Sequence, residues 1–260
     1  MIDAFRTPDD RRWYLLSLGL LIVAAWVVLA VWGASPYADL LDHGQRGDRA
    51  LAPALRTLVF VLGWTLMTVA MMLPSSLPLV NLFRRLVLRR ADGPRLVALL
   101  LVGYLGVWVS FGVLAYGADG LLHAAVEQLP PVRGAAPGIG AVLLLTVGIY
   151  QFTPLKTICL EKCRSPYMFL VQHWRGHQAA RDALRLGIRH GLFCLGCCWS
   201  LMLLMFAVGG ANLGWMLALG ALMGAERTTR LGRHLTRPLG GVLILGGLLV
   251  LTGMARFPSG

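Results

Sequence analysis

The sequence predicts an all-α protein that crosses a membrane about seven times, with its amino terminus in the cytoplasm and its carboxyl terminus outside. Three observations lead there. Of the 260 residues, 57% are hydrophobic and 14% charged, which leaves too little polar surface to cover a soluble domain of this size. The apolar residues are gathered into runs at 15–33, 57–83, 96–118, 137–155, 186–208, 212–225 and 239–254, most of them close to the ~20 residues that a helix needs to cross hydrocarbon. The basic residues alternate. Nineteen of the 24 Lys and Arg lie before the first run or in every second connection after it, the asymmetry that sets cytoplasmic loops.

The first run lacks a small-residue cleavage site after it and reads as a retained helix. The second carries Met67, Met71 and Met72 ahead of Pro74. Pro74 frees a backbone carbonyl, and Ser75 and Ser76 are placed to restore the lost hydrogen bond. Gly103, Gly106, Gly112 and Gly117 in the third run, and Gly240, Gly241, Gly246 and Gly247 in the last, are expected to let helices approach closely. The fourth run ends near Lys156, expected to snorkel to the interface. Beyond it, the stretch from Tyr167 to Leu184 mixes apolar and basic residues and reads as an interfacial connector, His173 and His177 included. The sixth run is short and forms a hairpin with the fifth, with Asn212 capping and Trp215 anchoring its start. No repeat divides the chain, so residues 1–260 read as one membrane domain.

The net charge of +12 does not point to nucleic acid, because the basic residues sit in short clusters between apolar runs, where they set orientation. The lipid bilayer is the expected partner, and the bacterial inner membrane the expected location. No Ser/His/Asp set, P-loop or dinucleotide motif points to hydrolase or transferase chemistry.

The chemistry lies in sulfur. On the fifth predicted helix His190, Cys194, Cys197, Cys198, Met202 and Met205 fall within an arc of about 140° at 100° per residue, one face of the helix. Thiolate and thioether donors select soft ions, and a ladder that mixes them favours copper(I), with zinc or iron as alternatives. Met71 of the second helix falls near the same depth as Cys197 and Cys198, so its stripe, Met67 included, is expected to face that of the fifth helix across the bundle interior. Cys159 and Cys163 share a face if the fourth helix continues through them, and lie on a short loop if Pro154 ends it. Either arrangement holds a metal or closes a disulfide. Glu226, followed by Arg227 at the end of the sixth run, marks the interface, with an ion pair or a hard oxygen ligand as the alternative roles of Glu226. The leading expectation is a protein that binds and handles copper(I) in exchange with a metal donor or acceptor protein. The alternative is a membrane thiol–disulfide oxidoreductase using the same cysteine pairs, disfavoured because methionine contributes nothing to thiol exchange.

The segments MMLPSSLP at 71–78, YQFTPLKTICLEKCRSP at 150–166, GIRHGLFCLGCCWSLMLLMF at 187–206 and NLGWMLALGALMGAER at 212–227 together resemble a bacterial family of predicted metal-binding integral membrane proteins. The resemblance covers roughly residues 57–227 and implies a site containing Cys159, Cys163, Cys194, Cys197, Cys198 and Glu226. In that pattern a Met precedes the Asn-Leu pair and a Lys follows the Glu, whereas this chain has Ala211 and Arg227 there.

Overall fold

The computed structural model describes residues 8–35, 52–128, 136–208, 212–229 and 232–253. Residues beyond these, Ala211 and Met254 among them, lie outside the description. The described residues are helical, without a strand: α1 Pro8–Gly33, α2 Pro53–Met71, α3 Leu73–Val87, α4 Gly93–Gln128, α5 Ala136–Tyr150, α6 Pro154–Arg164, α7 Pro166–His173, α8 Ala179–Val208, α9 Leu213–Thr228 and α10 Gly232–Leu251.

Five of these are long and apolar enough to cross a membrane, through residues 16–33, 54–71, 93–122, 179–205 and 234–251. A sixth crossing is available if α5 and α6, bent by 62° across a short break, count as one. The expected seven is therefore not reached. The short sixth run yields α9, only 16 residues long, about 24 Å at the helical rise. The last helix starts earlier than its apolar run, at Gly232, and takes Arg237 into its first turns.

Proline decides the breaks. The second run divides at Met72, where α2 ends and α3 begins with Pro74 in its first turn. The Ser75 and Ser76 hydroxyls donate to the Met72 carbonyl at 2.9 and 3.3 Å, not to the Ala70 carbonyl that the missing N–H of Pro74 leaves free, so the expected repair is not the bond they make. At the other break Pro154 is a helix start, not a stop. Its missing N–H costs nothing in a first turn, and Thr153 caps α6 by accepting from the Lys156 backbone N–H at 3.3 Å.

The most extensive helix pairing joins α4 and α8. A Cβ on Gly187 would run into the Leu100 carbonyl of α4, so the two backbones touch where only glycine fits. Gly148 of α5 and Gly240 of α10 meet in the same way, each 3.0 Å from the other's carbonyl once a Cβ is added. The expected small-residue packing holds at Gly103, Gly112, Gly240 and Gly247 but not at Gly106, Gly117 or Gly241, where a Cβ would meet open space. The short α7 buries Phe169 and Leu170 and leaves Tyr167, Met168 and Val171 exposed. Two buried clusters result, one of aliphatic and aromatic residues around Phe83 and Phe169, and a larger one containing every cysteine and most methionines.

Candidate metal centre

The α8 stripe is buried throughout. His190, Cys194, Cys197, Cys198, Met202 and Met205 are all at most 3% exposed, so the face predicted from helical spacing is the face that points inward. The Cys197 and Cys198 Sγ atoms lie 3.2 Å apart, and the Cys197 thiol also donates to the Cys194 carbonyl at 3.1 Å. Cys194 meets the Tyr104 hydroxyl of α4 at 3.3 Å.

The 62° bend after α5 swings α6 across α8. The structure thus takes neither of the two expected courses for the Cys159–Cys163 segment. Pro154 ends one helix and opens another, and the i, i+4 spacing within α6 turns both thiols inward, with 6% and 8% exposure. Cys163 is buried in the same cluster as the α8 thiols, and Cys159 lies on Gly196, where any Cβ would come within 2.5 Å of its Sγ. The Tyr150 hydroxyl donates to the Gly196 carbonyl, the group that Ser200 would otherwise use one turn later. The Ser200 hydroxyl is accordingly buried without a partner. All five cysteines are free thiols.

A layer of charge adjoins the thiols. Lys156 does not snorkel. It is fully buried and donates to both carboxylate oxygens of Glu226, at 2.9 and 3.1 Å, and to the Gln151 side-chain oxygen. Glu226 is thereby an ion-pair partner. Arg164 donates to the Glu226 and Thr229 carbonyls, tying α6 to the end of α9. Arg227 is 4% exposed and donates to Ser75 at 2.5 Å and Ser76 at 3.4 Å. Sequence reasoning missed Arg227, Tyr104 and Gln151. Arg227 carried a signal, an ionisable group at the end of an apolar run, but it was read as a marker of the interface.

Met67 and Met71 are buried in the same cluster as the thiols. So are Met72, Met216 and Met223. Met216 and Met223 went unnoticed in the sequence, although a spacing of seven places them on one helix face. Met71 packs over Gly220, which lies between them on α9, at 3.3 Å from a Cβ placed there. Met71 therefore packs on α9. A groove of about 440 Å³ opens beside it, with Trp26, Pro74, Ser75 and Gly224 in its walls.

Among the described residues, no three His, Cys, Asp or Glu side chains are arranged to hold a metal ion together as they stand. The thiols meet as pairs. His190 sits between Tyr104, at 5.5 Å between ring centroids, and Phe169, at 5.6 Å, and both of its nitrogens are buried without a partner. His173 is engaged locally with the Phe169 carbonyl at 2.8 Å and His177 is exposed, as a connector requires.

No curated protein and no solved structure matches the chain. Residues 61–250, from α2 into α10, match one family throughout. That match covers well over half of the sequence, and the chain belongs to the PpoB2 family, described as a copper chaperone.

Proposed function

We propose that this chain is an integral protein of the bacterial cytoplasmic membrane that binds copper(I) on the thiols of α8 and α6 and passes it to a partner protein. The observation that carries the reading is the pairing of soft donors in a dry interior. Cys197 and Cys198 lie 3.2 Å apart, Cys163 of α6 is buried in the same cluster, and the donors packed around them are thioethers. A structural zinc site needs a closed set of four donors, which this arrangement does not offer. Copper(I) is satisfied by two or three soft ones. Glu226 is committed to Lys156, so no hard oxygen ligand competes. The family description supports the choice of metal. The alternation of basic segments supports an amino terminus in the cytoplasm, with α9 as a short seventh crossing.

The test is metal analysis and chelator-competition titration of the full chain, purified anaerobically in detergent. About one copper(I) per chain is expected, lost in Cys197→Ser with Cys198→Ser. Serine preserves size but replaces a soft donor with a hard one. A wild-type protein that takes up no copper(I), while its thiols cycle to a disulfide with a dithiol donor, would establish the oxidoreductase reading instead.

A further inference from the structure

We infer that His190 and Cys194 form a second copper(I) position on α8, one helical turn before the Cys197–Cys198 pair. The inference rests on copper(I) binding to those thiols as proposed above.

The imidazole of His190 is held by aromatic rings from two other helices, Tyr104 of α4 at 5.5 Å with 28° between the planes and Phe169 of α7 at 5.6 Å with 65°. It is 3% exposed, and neither of its nitrogens has a hydrogen-bond partner. A phenylalanine would fill this aromatic setting without burying two polar atoms. Buried polar atoms without partners are rare, because the hydration they lose is not replaced. Ring packing fixes the imidazole plane but uses neither nitrogen, so the lone pair of the neutral ring stays available to a metal.

The donor beside it is Cys194, fully buried one turn further along the same helix. Side chains four apart are neighbours on a helix face, with Cβ atoms about 5–6 Å apart, the spacing at which two residues of one helix share a metal. Tyr104 touches both members of the pair. The ring that stacks on His190 carries the hydroxyl that lies 3.3 Å from the Cys194 Sγ. Once the thiol has given up its proton, that hydroxyl is the donor, and its hydrogen bond holds the thiolate in place.

One thiolate, one neutral imidazole and a monovalent ion make a neutral complex, with the thiol proton released to solvent. A dry interior accepts such a complex, whereas a divalent ion on the same two donors keeps a charge of +1. Among the described residues no three donors converge, which suits an ion content with two. Imidazole in place of a second thiolate makes this the weaker position, so it fills only when copper(I) exceeds the single ion held by Cys197 and Cys198.

The test is anaerobic titration of the full chain in detergent with copper(I) against a chelator, followed by copper X-ray absorption at one and two equivalents. The wild type should bind in two steps, with sulfur alone around the metal at one equivalent and added nitrogen at two. His190→Phe keeps the ring packing and removes the unpartnered nitrogens, so it should not lower the melting temperature. It should keep the first step and lose the second. Cys197→Ser with Cys198→Ser should do the reverse, losing the first step and keeping the weaker, nitrogen-bearing one. A single step in the wild type, sulfur alone at two equivalents, or a His190→Phe variant that still takes the second ion would each overturn the inference. If the Phe variant does not fold, the wild-type absorption decides, sulfur alone refuting the site. Failure of the underlying reading is distinct, since the first step would then be missing as well.

Discussion

Lys156 and Glu226 are sealed from solvent, and each is the other's ionic partner. Breaking such a pair by removing one member leaves a buried charge and typically costs about 3–5 kcal/mol, whereas replacing both with apolar groups is often neutral. Lys156→Met is therefore expected to lower the thermal unfolding temperature in detergent sharply, and adding Glu226→Leu should restore most of it. If the single variant melts like the wild type, the pair is not buried as described. Met202 and Met205 permit a cleaner test of the sulfur ladder. Replacing both with Leu conserves volume and should cost less than about 1.5 kcal/mol. Copper(I) affinity should fall while zinc affinity stays nearly unchanged, because thioether is a good donor to the first and a poor one to the second. An unaltered copper(I) affinity would reduce these methionines to packing.

At the scale of elements, the bend between α5 and α6 determines which cysteines share a site. Cys163 is buried among the α8 thiols, while Cys159 rests on Gly196. Cys163→Ser should accordingly reduce bound copper about as much as Cys197→Ser, and Cys159→Ser should leave most of it, as metal analysis of the three purified variants would reveal. Comparable losses at Cys159 and Cys163 would mean that α6 rotates on loading. The α4–α8 contact makes a second prediction. Gly187 faces the Leu100 carbonyl with no room for a Cβ, so Gly187→Ala must push the helices apart, at about 1–3 kcal/mol for such overpacking. The same displacement would separate Tyr104 from Cys194, and a loss of bound copper should accompany the lower melting temperature. Full stability in that variant would refute the backbone-to-backbone contact.

For the whole molecule, the distribution of Lys and Arg predicts orientation. A reporter inserted between α3 and α4, among Arg84, Arg85, Arg89, Arg90 and Arg95, should be active in the cytoplasm, and one fused after Gly260 outside it. An inverted result at either position would overturn the proposed orientation. The outcome also bears on α9, since a crossing by this 16-residue helix is what makes the number of spans odd.

The helices and the inward face of α8 were legible in the sequence because both depend on local periodicity. A run of apolar residues must be helical where no water can satisfy the backbone, and residues spaced by three and four share a side whatever the neighbours are. Asn212 as a cap was legible for the same reason, and it accepts from the Trp215 backbone N–H at 3.2 Å. The breaks were half legible. Pro74 and Pro154 marked the places, but a proline that kinks a helix and one that starts a new helix look alike until the next element packs. What only the tertiary structure decided was the company each side chain keeps. Lys156 lies 70 residues from Glu226, and Arg227 more than 150 from Ser75. No periodicity relates them, so whether a charge at a helix end reaches water or turns inward depends on which distant groups are there to receive it. For Lys156 the receiver is Glu226, and for Arg227 it is Ser75 and Ser76.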